Sequence, residues 1–161
     1  MKLDALDIKI ITILQKNSHI TKSALAASVG LSASPCWERV KRLEKGGIIK
    51  GYQAKIDTHK IVKHATFFVQ IYLKSHTKSD WKAFEEAIAD IPEVTECYVI
   101  SGSVDYILKI IVADVEEYQS LLDSLLEKNI GIDRYNGHII TRCITQNNGA
   151  DISHLLKKNG A

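Results

Sequence analysis

Residues 31–52 read LSASPCWERVKRLEKGGIIKGY, and they predict a short basic helix with a defined start and a defined end. Ser32 or Ser34 can accept hydrogen bonds from the free amides of the first turn, and Pro35 is tolerated there because it has no amide to donate. At the other end, the two consecutive glycines of GGII permit the left-handed turn that terminates a helix.

At about 100° per residue, this helix has one apolar side and one polar, basic side. The side that would pack consists of Cys36, Val40 and Leu43. The opposite side carries Ser34, Glu38, Lys41 and Lys45, with Arg42 close by. An ordinary amphipathic helix with a solvated charged face has the same pattern, so the sequence upstream has to decide between the two interpretations.

Residues 22–32, KSALAASVGLS, predict another short helix, followed by a glycine turn. Thr21 can cap its start, and Gly30 allows a tight turn into the next helix. Its apolar face is small, being made of Leu25, Ala26 and Val29. Two short helices that cross closely at such a turn are typical of a helix-turn-helix, whose second helix enters the major groove of DNA.

The two helices resemble the DNA-binding domain of the Lrp/AsnC, or feast/famine, family. The matching positions are Leu25, Ala26, Val29, Gly30, Leu31, Ser32, Ser34, Pro35, Arg39, Val40, Leu43, Glu44, Gly47, Ile49 and Tyr52. Residues 91–94, IPEV, and 101–108, SGSVDYIL, are similar to signatures of the family's small-molecule-binding domain. The resemblance spans about residues 3–155. It implies a transcriptional regulator that binds double-stranded promoter DNA as a homodimer, assembles further to an octamer, and responds to a small effector, an amino acid, bound between subunits.

Charge is distributed unevenly along the 161 residues, although the net charge is only +2. Residues 1–60 carry 11 Lys/Arg and 5 Asp/Glu, a net of +6, whereas residues 61–161 carry 10 and 14, a net of −4. Phosphate contacts supply much of the affinity of DNA-binding proteins, so the basic part of the chain is the part expected to meet DNA.

From residue 65 onwards the predicted elements follow the order strand, helix, strand, strand, helix, strand. The predicted strands are 65–73, 94–101, 104–113 and one within 130–145, and the helices centre on residues 81–88 and 118–125. This order is typical of a ferredoxin-like sheet with both helices on one face. The open face has apolar residues, which predicts that a second copy of the chain covers it.

The predicted fold class is therefore α+β, with an N-terminal winged helix-turn-helix and a C-terminal ferredoxin-like βαββαβ ligand-binding domain, RAM/ACT-like as the resemblance implies. The predicted domains are 1–56 for DNA binding, 57–64 as a linker and 65–161 for effector binding and oligomerisation. Within the first domain, residues 4–17 predict a supporting helix and residues 48–56 an extended segment or wing. Residues 147–161 depart from the family pattern, and no role is assigned to them.

The predicted DNA-binding residues are Ser32, Ser34, Pro35, Trp37, Glu38, Arg39, Lys41, Arg42 and Lys45. Lysine and arginine can contact phosphates or guanine edges, and Glu38 can accept from cytosine N4. Two roles stay open. Trp37 either packs or covers a sugar or thymine methyl, and Arg39 either contacts phosphate or pairs with an acid of the first helix.

A second predicted site is the turn at residues 101–106. The residues alone indicate a hairpin in which Gly102 supplies an unusual φ and Asp105 caps backbone amides. The family resemblance implies that this turn lines the effector pocket, with Ser101, Gly102, Ser103, Val104, Asp105 and Tyr106 as the effector-binding residues. Exposed amides and Asp105 would then hold the charged backbone of an amino acid.

An enzyme is the main competing class, but the sequence has no GxSxG, P-loop, HExxH or dinucleotide fingerprint, and its histidines are scattered. Cys36, Cys97 and Cys143 are an odd number without a CxxC pair, which argues against disulfides and a zinc site, so no metal and no cofactor is expected. A redox role for Cys97 or Cys143 stays open.

The N-terminus has two acids and no apolar signal region, and no stretch has the roughly 18 apolar residues that would cross a membrane, so the predicted location is the cytoplasm. A remaining alternative is an amino-acid-binding regulatory module without direct DNA binding. The basic face at residues 34–45 argues against this alternative.

Overall fold

The computed structural model describes residues 2–145, 149–150 and 152–158. Contacts divide the chain into two compact units: unit 1 is residues 1–55 with 145–161, and unit 2 is residues 56–144. The predicted domain boundaries stay predictions. The main difference is that the contacts group residues 145–161 with unit 1, whereas the prediction assigned them to the C-terminal domain. Within this stretch, residues 146–148, 151 and 159–161 lie outside the described residues.

The elements in chain order are α1 (Ala5–Lys16), α2 (Lys22–Val29), α3 (Ala33–Lys45), a 3-10 turn (Thr58–Lys60), β1 (Ala65–Leu73), α4 (Lys78–Ala89), β2 (Val94–Val99), β3 (Tyr106–Val112), α5 (Val115–Glu127), β4 (Ile132–Ile139) and α6 (Ile152–Lys158). The predicted helices and strands are present, and most are shorter than predicted by one to a few residues at their ends.

Unit 1 is built on the three helices α1, α2 and α3. Asp4 caps α1 and forms a reciprocal capping box with Asp7. The predicted helix 4–17 corresponds to α1 together with its two cap residues, Asp4 and Asn17. The apolar sides of the helices meet in a core that also includes Ile152 of α6; its buried members are Ile10, Ile11, Leu25, Ala26, Val29, Cys36, Val40 and Leu43. The predicted packing side of α3 is thereby confirmed.

One local prediction for unit 1 needs correction. Ser32 occupies the N-cap position of α3, but its side chain makes no capping hydrogen bond, and Ser34 lies inside the first turn. The segment predicted as extended or a wing, residues 48–56, contains bends and irregular backbone without an assigned strand. A strand is stabilised by pairing with another strand, and the described strands of the chain all belong to the sheet of unit 2.

Unit 2 is a four-stranded antiparallel sheet with the order β2-β3-β1-β4. Alternate residues of the two central strands are buried beneath the helices, because successive side chains of a strand point to opposite faces. The buried core comprises Phe67, Val69, Ile71, Leu73, Phe84, Ile88, Tyr106, Leu108, Ile110, Val112, Tyr118, Leu122, Leu125 and Ile132. This is the predicted ferredoxin-like arrangement.

The other face of this sheet, called the open face below, carries the intervening residues. On β1 and β3 these are Thr66, Phe68, Gln70, Tyr72, Ile107, Lys109 and Ile111. Phe68 is 38% exposed and Tyr98 of β2 is 51% exposed, so large apolar surface remains accessible on the isolated chain. Lys109 pairs with Glu96 at 2.7 Å, which places one ion pair among the apolar residues.

Candidate functional site

The helix-turn-helix of unit 1 is formed by α2, a tight turn and α3. Gly30 ends α2 in the left-handed conformation with φ 76°, and the amide of Leu31 donates to the carbonyl of Ala26 at 3.0 Å. Ala26 of α2 and Cys36 of α3 are small and belong to the same buried core, so α3 packs against α2 with this side and presents its opposite side outward.

The outward side of α3 is defined here as the outer face, consisting of Ser34, Glu38, Lys41 and Lys45. All four side chains are exposed. Ser32 and Pro35 are exposed at the start of the helix. Trp37, on the adjoining flank, is half-buried. With it, seven of the nine predicted DNA-binding residues lie on or beside the outer face: Ser32, Ser34, Pro35, Trp37, Glu38, Lys41 and Lys45. Two lysines beside a serine and a carboxylate can contact phosphates and base edges.

Arg39 and Arg42 lie on another flank of α3 and are engaged by α1. Arg39 Nη1 is 2.6 Å from a carboxylate oxygen of Asp4 and 2.8 Å from one of Asp7, and Arg42 Nη2 is 2.5 Å from the other oxygen of Asp7. The hydrogen bonds to Asp4 and Asp7 raise the pKa of Arg39. The pKa of Asp4 is lowered, first by the backbone amide of Asp7 and then by Arg39. Of the two roles open for Arg39, the structure shows the ion pair.

Trp37 lies between the packed and exposed sides of α3, as predicted. The ammonium group of Lys22, the first residue of α2, is 3.8 Å from the centre of its ring, which is a cation–π contact. Sequence analysis did not select Lys22, because neither its spacing nor its neighbours distinguish it from an ordinary surface lysine. This contact ties the start of α2 to the start of the recognition helix.

The segment after α3 is anchored by Tyr52, whose hydroxyl donates to Glu44 at 2.8 Å. Burial, together with this hydrogen bond to a carboxylate, raises the pKa of Tyr52 to about 12. Residues 48–55, the end of α1 and Ile152 line a groove of about 590 Å³. None of the residues predicted to bind DNA or effector lines this groove.

The turn predicted to bind effector lies in unit 2, between β2 and β3. Ser101, Gly102 and Ser103 are exposed, and Gly102 has φ 149°, the unusual value predicted for it. Val104 and Asp105 are half-buried. Tyr106 is only 2% exposed, so it lies in the core beneath the turn.

Tyr106 is held by α4. Its ring packs against that of Phe84 with centroids 4.5 Å apart, and its hydroxyl donates to Glu85 at 2.9 Å. Burial and the nearby Glu85 carboxylate raise the pKa of Tyr106. Its position indicates that it supports the turn from within.

Asp105 stabilises the end of β1. Its Oδ2 accepts a hydrogen bond from the amide of Leu73 at 2.8 Å, and its Oδ1 is 3.0 Å from Nε2 of His76. The predicted amide cap is therefore present, but the amide belongs to a neighbouring strand. His76 was missed by sequence analysis because it lies 29 positions from Asp105 and in no motif.

Among the described residues, no group of three potential ligands could hold a metal ion. The helices in the described part of the chain are also too short or too polar to cross a membrane.

Comparison with known proteins agrees with this architecture. The sequence pattern of the winged helix-turn-helix DNA-binding domain matches residues 3–50, and that of the Lrp/AsnC ligand binding domain matches residues 66–149. The chain is 46% identical to the transcriptional regulatory protein DoeX of Halomonas elongata over 144 residues, which cover 89% of this chain and 91% of DoeX.

Two further proteins show the same relationship. The leucine-responsive regulatory protein of Haemophilus influenzae is 39% identical over 146 residues, covering 91% of this chain and 88% of that protein. The structure of a transcriptional regulator of Neisseria meningitidis in complex with L-Met has a TM-score of 0.87 and 28% identity, covering 96% of this chain and all of that one (100%).

A helix-turn-helix with an exposed basic face, joined in one chain to a ferredoxin-like ligand-binding domain, defines the class of ligand-responsive DNA-binding transcriptional regulators. This chain belongs to the Lrp/AsnC family of that class. The predicted family, fold class and regulatory function are confirmed. The relatives are regulators, which agrees with the prediction that the chain is not an enzyme.

Proposed function

We propose that the outer face of α3 reads operator DNA in the major groove, with Lys41 and Lys45 on phosphates or guanine edges and Glu38 on a cytosine. The observation that carries this proposal is the joint exposure of the outer face on a helix whose other side is buried. Ser32, Pro35 and Trp37 complete the proposed contact set. Arg39 and Arg42 are not carried into it, because Asp7 engages both. A regulator of promoters acts where the DNA is, so the proposed compartment is the cytoplasm.

Binding to the chain's own upstream DNA tests this proposal. Lys41→Ala should weaken binding to all sequences and reduce the slope of log K against log salt by about 0.9, the value for one phosphate contact. Glu38→Gln should instead change the ranking of DNA sequences, because a base contact carries sequence information. Failure of the whole chain to bind this DNA at low salt would refute the proposal.

The proposed effector is an amino acid bound at the turn of residues 101–106. The relative from Neisseria meningitidis was solved with L-Met, and the matched domain is a ligand-binding domain. The exposed amides of residues 101–103 are suited to an α-carboxylate, and the Asp105 carboxylate is suited to an α-ammonium group. Binding between subunits would add apolar residues that select the side chain.

A thermal-shift series with the twenty standard amino acids, run beside DNA binding, identifies the effector. Asp105→Asn should lose the response, since it removes the charge for the ammonium group while keeping an oxygen that can accept from Leu73. His76→Gln is the control, because it changes the neighbour of Asp105 and leaves the carboxylate charged. A normal response in folded Asp105→Asn would place the effector elsewhere.

The proposed assembly is a homodimer formed through the open face, with further association of dimers to an octamer. Its support is the apolar surface that this face exposes on the single chain, including Phe68 and Tyr98. A dimer also provides two recognition helices for a two-fold symmetric operator.

Sedimentation of the full chain tests the interface. Phe68→Glu should dissociate the dimer, because a charge would be buried against the partner's sheet. Leu126→Glu is a matched control, since Leu126 is 40% exposed, close to the 38% of Phe68, but lies on α5. If folded Phe68→Glu sediments like the wild type, the open face is not the interface.

A further inference from the structure

One buried carboxylate, that of Asp7, contacts two arginines of the recognition helix. In the described part of the chain, Asp7 is the charged residue that belongs to the buried class, with 0% exposure. Its oxygens accept from Arg39 and Arg42 separately. A buried carboxylate needs such partners, because an unpaired charge in the interior is strongly unfavourable.

The same contacts restrict what the two arginines can do. Arg39 is held by two carboxylates, those of Asp4 and Asp7, and its side chain is 25% exposed. Arg42 is 48% exposed but directs Nη2 to Asp7. An arginine of a DNA-binding helix that is free of such partners can contact phosphates whatever the base sequence, and phosphate contacts add affinity without sequence information.

We propose that Asp7 is a specificity-determining positioning residue, which ties Arg39 and Arg42 to α1 and so keeps them from acting as additional, sequence-independent phosphate contacts. The phosphate contacts of α3 then come from Lys41 and Lys45, on the outer face. The inference rests on DNA binding by α3 and adds which of its cations take part. It also assigns a function in recognition to a residue outside the helix-turn-helix.

The first test compares two single substitutions on the same helix, Lys41→Gln and Arg42→Gln, using duplex DNA of random sequence as the probe. Each removes one exposed positive charge. Lys41→Gln should lower the slope of log K against log salt by about 0.9, whereas Arg42→Gln should leave the slope unchanged. Lys82→Gln, on α4 in unit 2, is the control for a general change of net charge. An equal loss of slope in both variants would overturn the proposal.

The second test releases the arginines with Asp7→Asn, a substitution of nearly the same size. The slope on random DNA should steepen by up to about 1.8, corresponding to two new phosphate contacts. The affinity ratio between the chain's own upstream DNA and random DNA should fall, and adding Arg39→Gln and Arg42→Gln should reverse the change in slope. A purely structural role for Asp7 would not steepen the slope, so a folded Asp7→Asn protein with wild-type slope and ratio would overturn the proposal.

Circular dichroism shows whether Asp7→Asn folds. If it does not fold, the comparison of Lys41→Gln with Arg42→Gln decides the matter alone, because in Arg42→Gln the buried Asp7 carboxylate keeps its contact with Arg39. If the wild type itself fails to bind either DNA at low salt, the proposed DNA-binding function fails as well, and this outcome is distinct from an equal slope loss in the two single variants.

Discussion

Asp105→Ala should destabilise unit 2, because it removes the hydrogen-bond acceptor of a backbone amide in another strand, that of Leu73 in β1. β3 pairs with β1 as far as Ile71 and Tyr106, and the next contact is the amide of Asp105 donating to the carbonyl of Ile71 at 3.1 Å. Beyond that point the Asp105 carboxylate accepts from Leu73 at 2.8 Å in place of a strand carbonyl. Leu73 is 5% exposed, so alanine at position 105 would leave its amide without this acceptor in a largely dry environment.

Leaving a buried donor unpaired costs about 1–3 kcal/mol, and a central value of about 2 kcal/mol is expected for Asp105→Ala. The pair with His76 adds little, because that histidine is 65% exposed. Asp105→Asn keeps an oxygen in place for the amide, so it should cost less than about 1 kcal/mol.

Urea unfolding followed by tryptophan fluorescence can measure this in unit 2 alone. The chain has two tryptophans, Trp37 in unit 1 and Trp81 in unit 2, so a Trp37→Phe background leaves one reporter, on α4. If Asp105→Ala has the same free energy of unfolding as the wild type, the reasoning about the Leu73 amide is wrong. If both variants lose about 2 kcal/mol, the charge matters more than the acceptor.

Two other predictions follow from single contacts. A methyl group at Gly137 would overlap the hydroxyl of Tyr118, which is buried without a hydrogen-bond partner. Gly137→Ala should therefore lower the free energy of unfolding by about 1–3 kcal/mol. Adding Tyr118→Phe should recover part of that loss in the same urea titration. Tyr52 has a pKa raised from 10 to about 12 in the folded chain. The protonated hydroxyl therefore stabilises unit 1 below pH 10, and this contribution is lost as the pH rises towards 12. Tyr52→Phe should lack this alkaline decline in melting temperature; an identical decline would assign it to other groups.

The elements were predictable because each has a local signal. The alternation of residues 65–73 gave β1 its buried and open faces, and the glycines at 30 and 46–47 marked the ends of α2 and α3. The conformation of residues 48–56 was harder to predict, because their alternation is brief and a strand also needs a partner strand. Such a partner lies elsewhere in the chain and has no signature in the segment itself.

The partners of individual side chains were less predictable than the elements. A basic residue on α3 looks the same in the sequence whether it faces DNA or Asp7, which lies 32 residues before Arg39. The acid of the first helix was recognisable as one option for Arg39, but not for Arg42. Likewise, no local pattern connects Asp105 with Leu73 or His76, because folding brings them together from separate elements.

The course of the chain through unit 1 has a consequence for its synthesis. Ile152 packs against the core of the first three helices, and Gln15 donates to the carbonyl of Ala150 at 2.9 Å. These C-terminal residues leave the ribosome only after all of residues 56–144 have been made. Since domains tend to fold as they emerge, the sheet of unit 2 can form before the helices that bind DNA receive their last packing partner. In a nascent chain, the helices of unit 1 therefore gain their C-terminal packing partner only after all the residues of unit 2 have been synthesised.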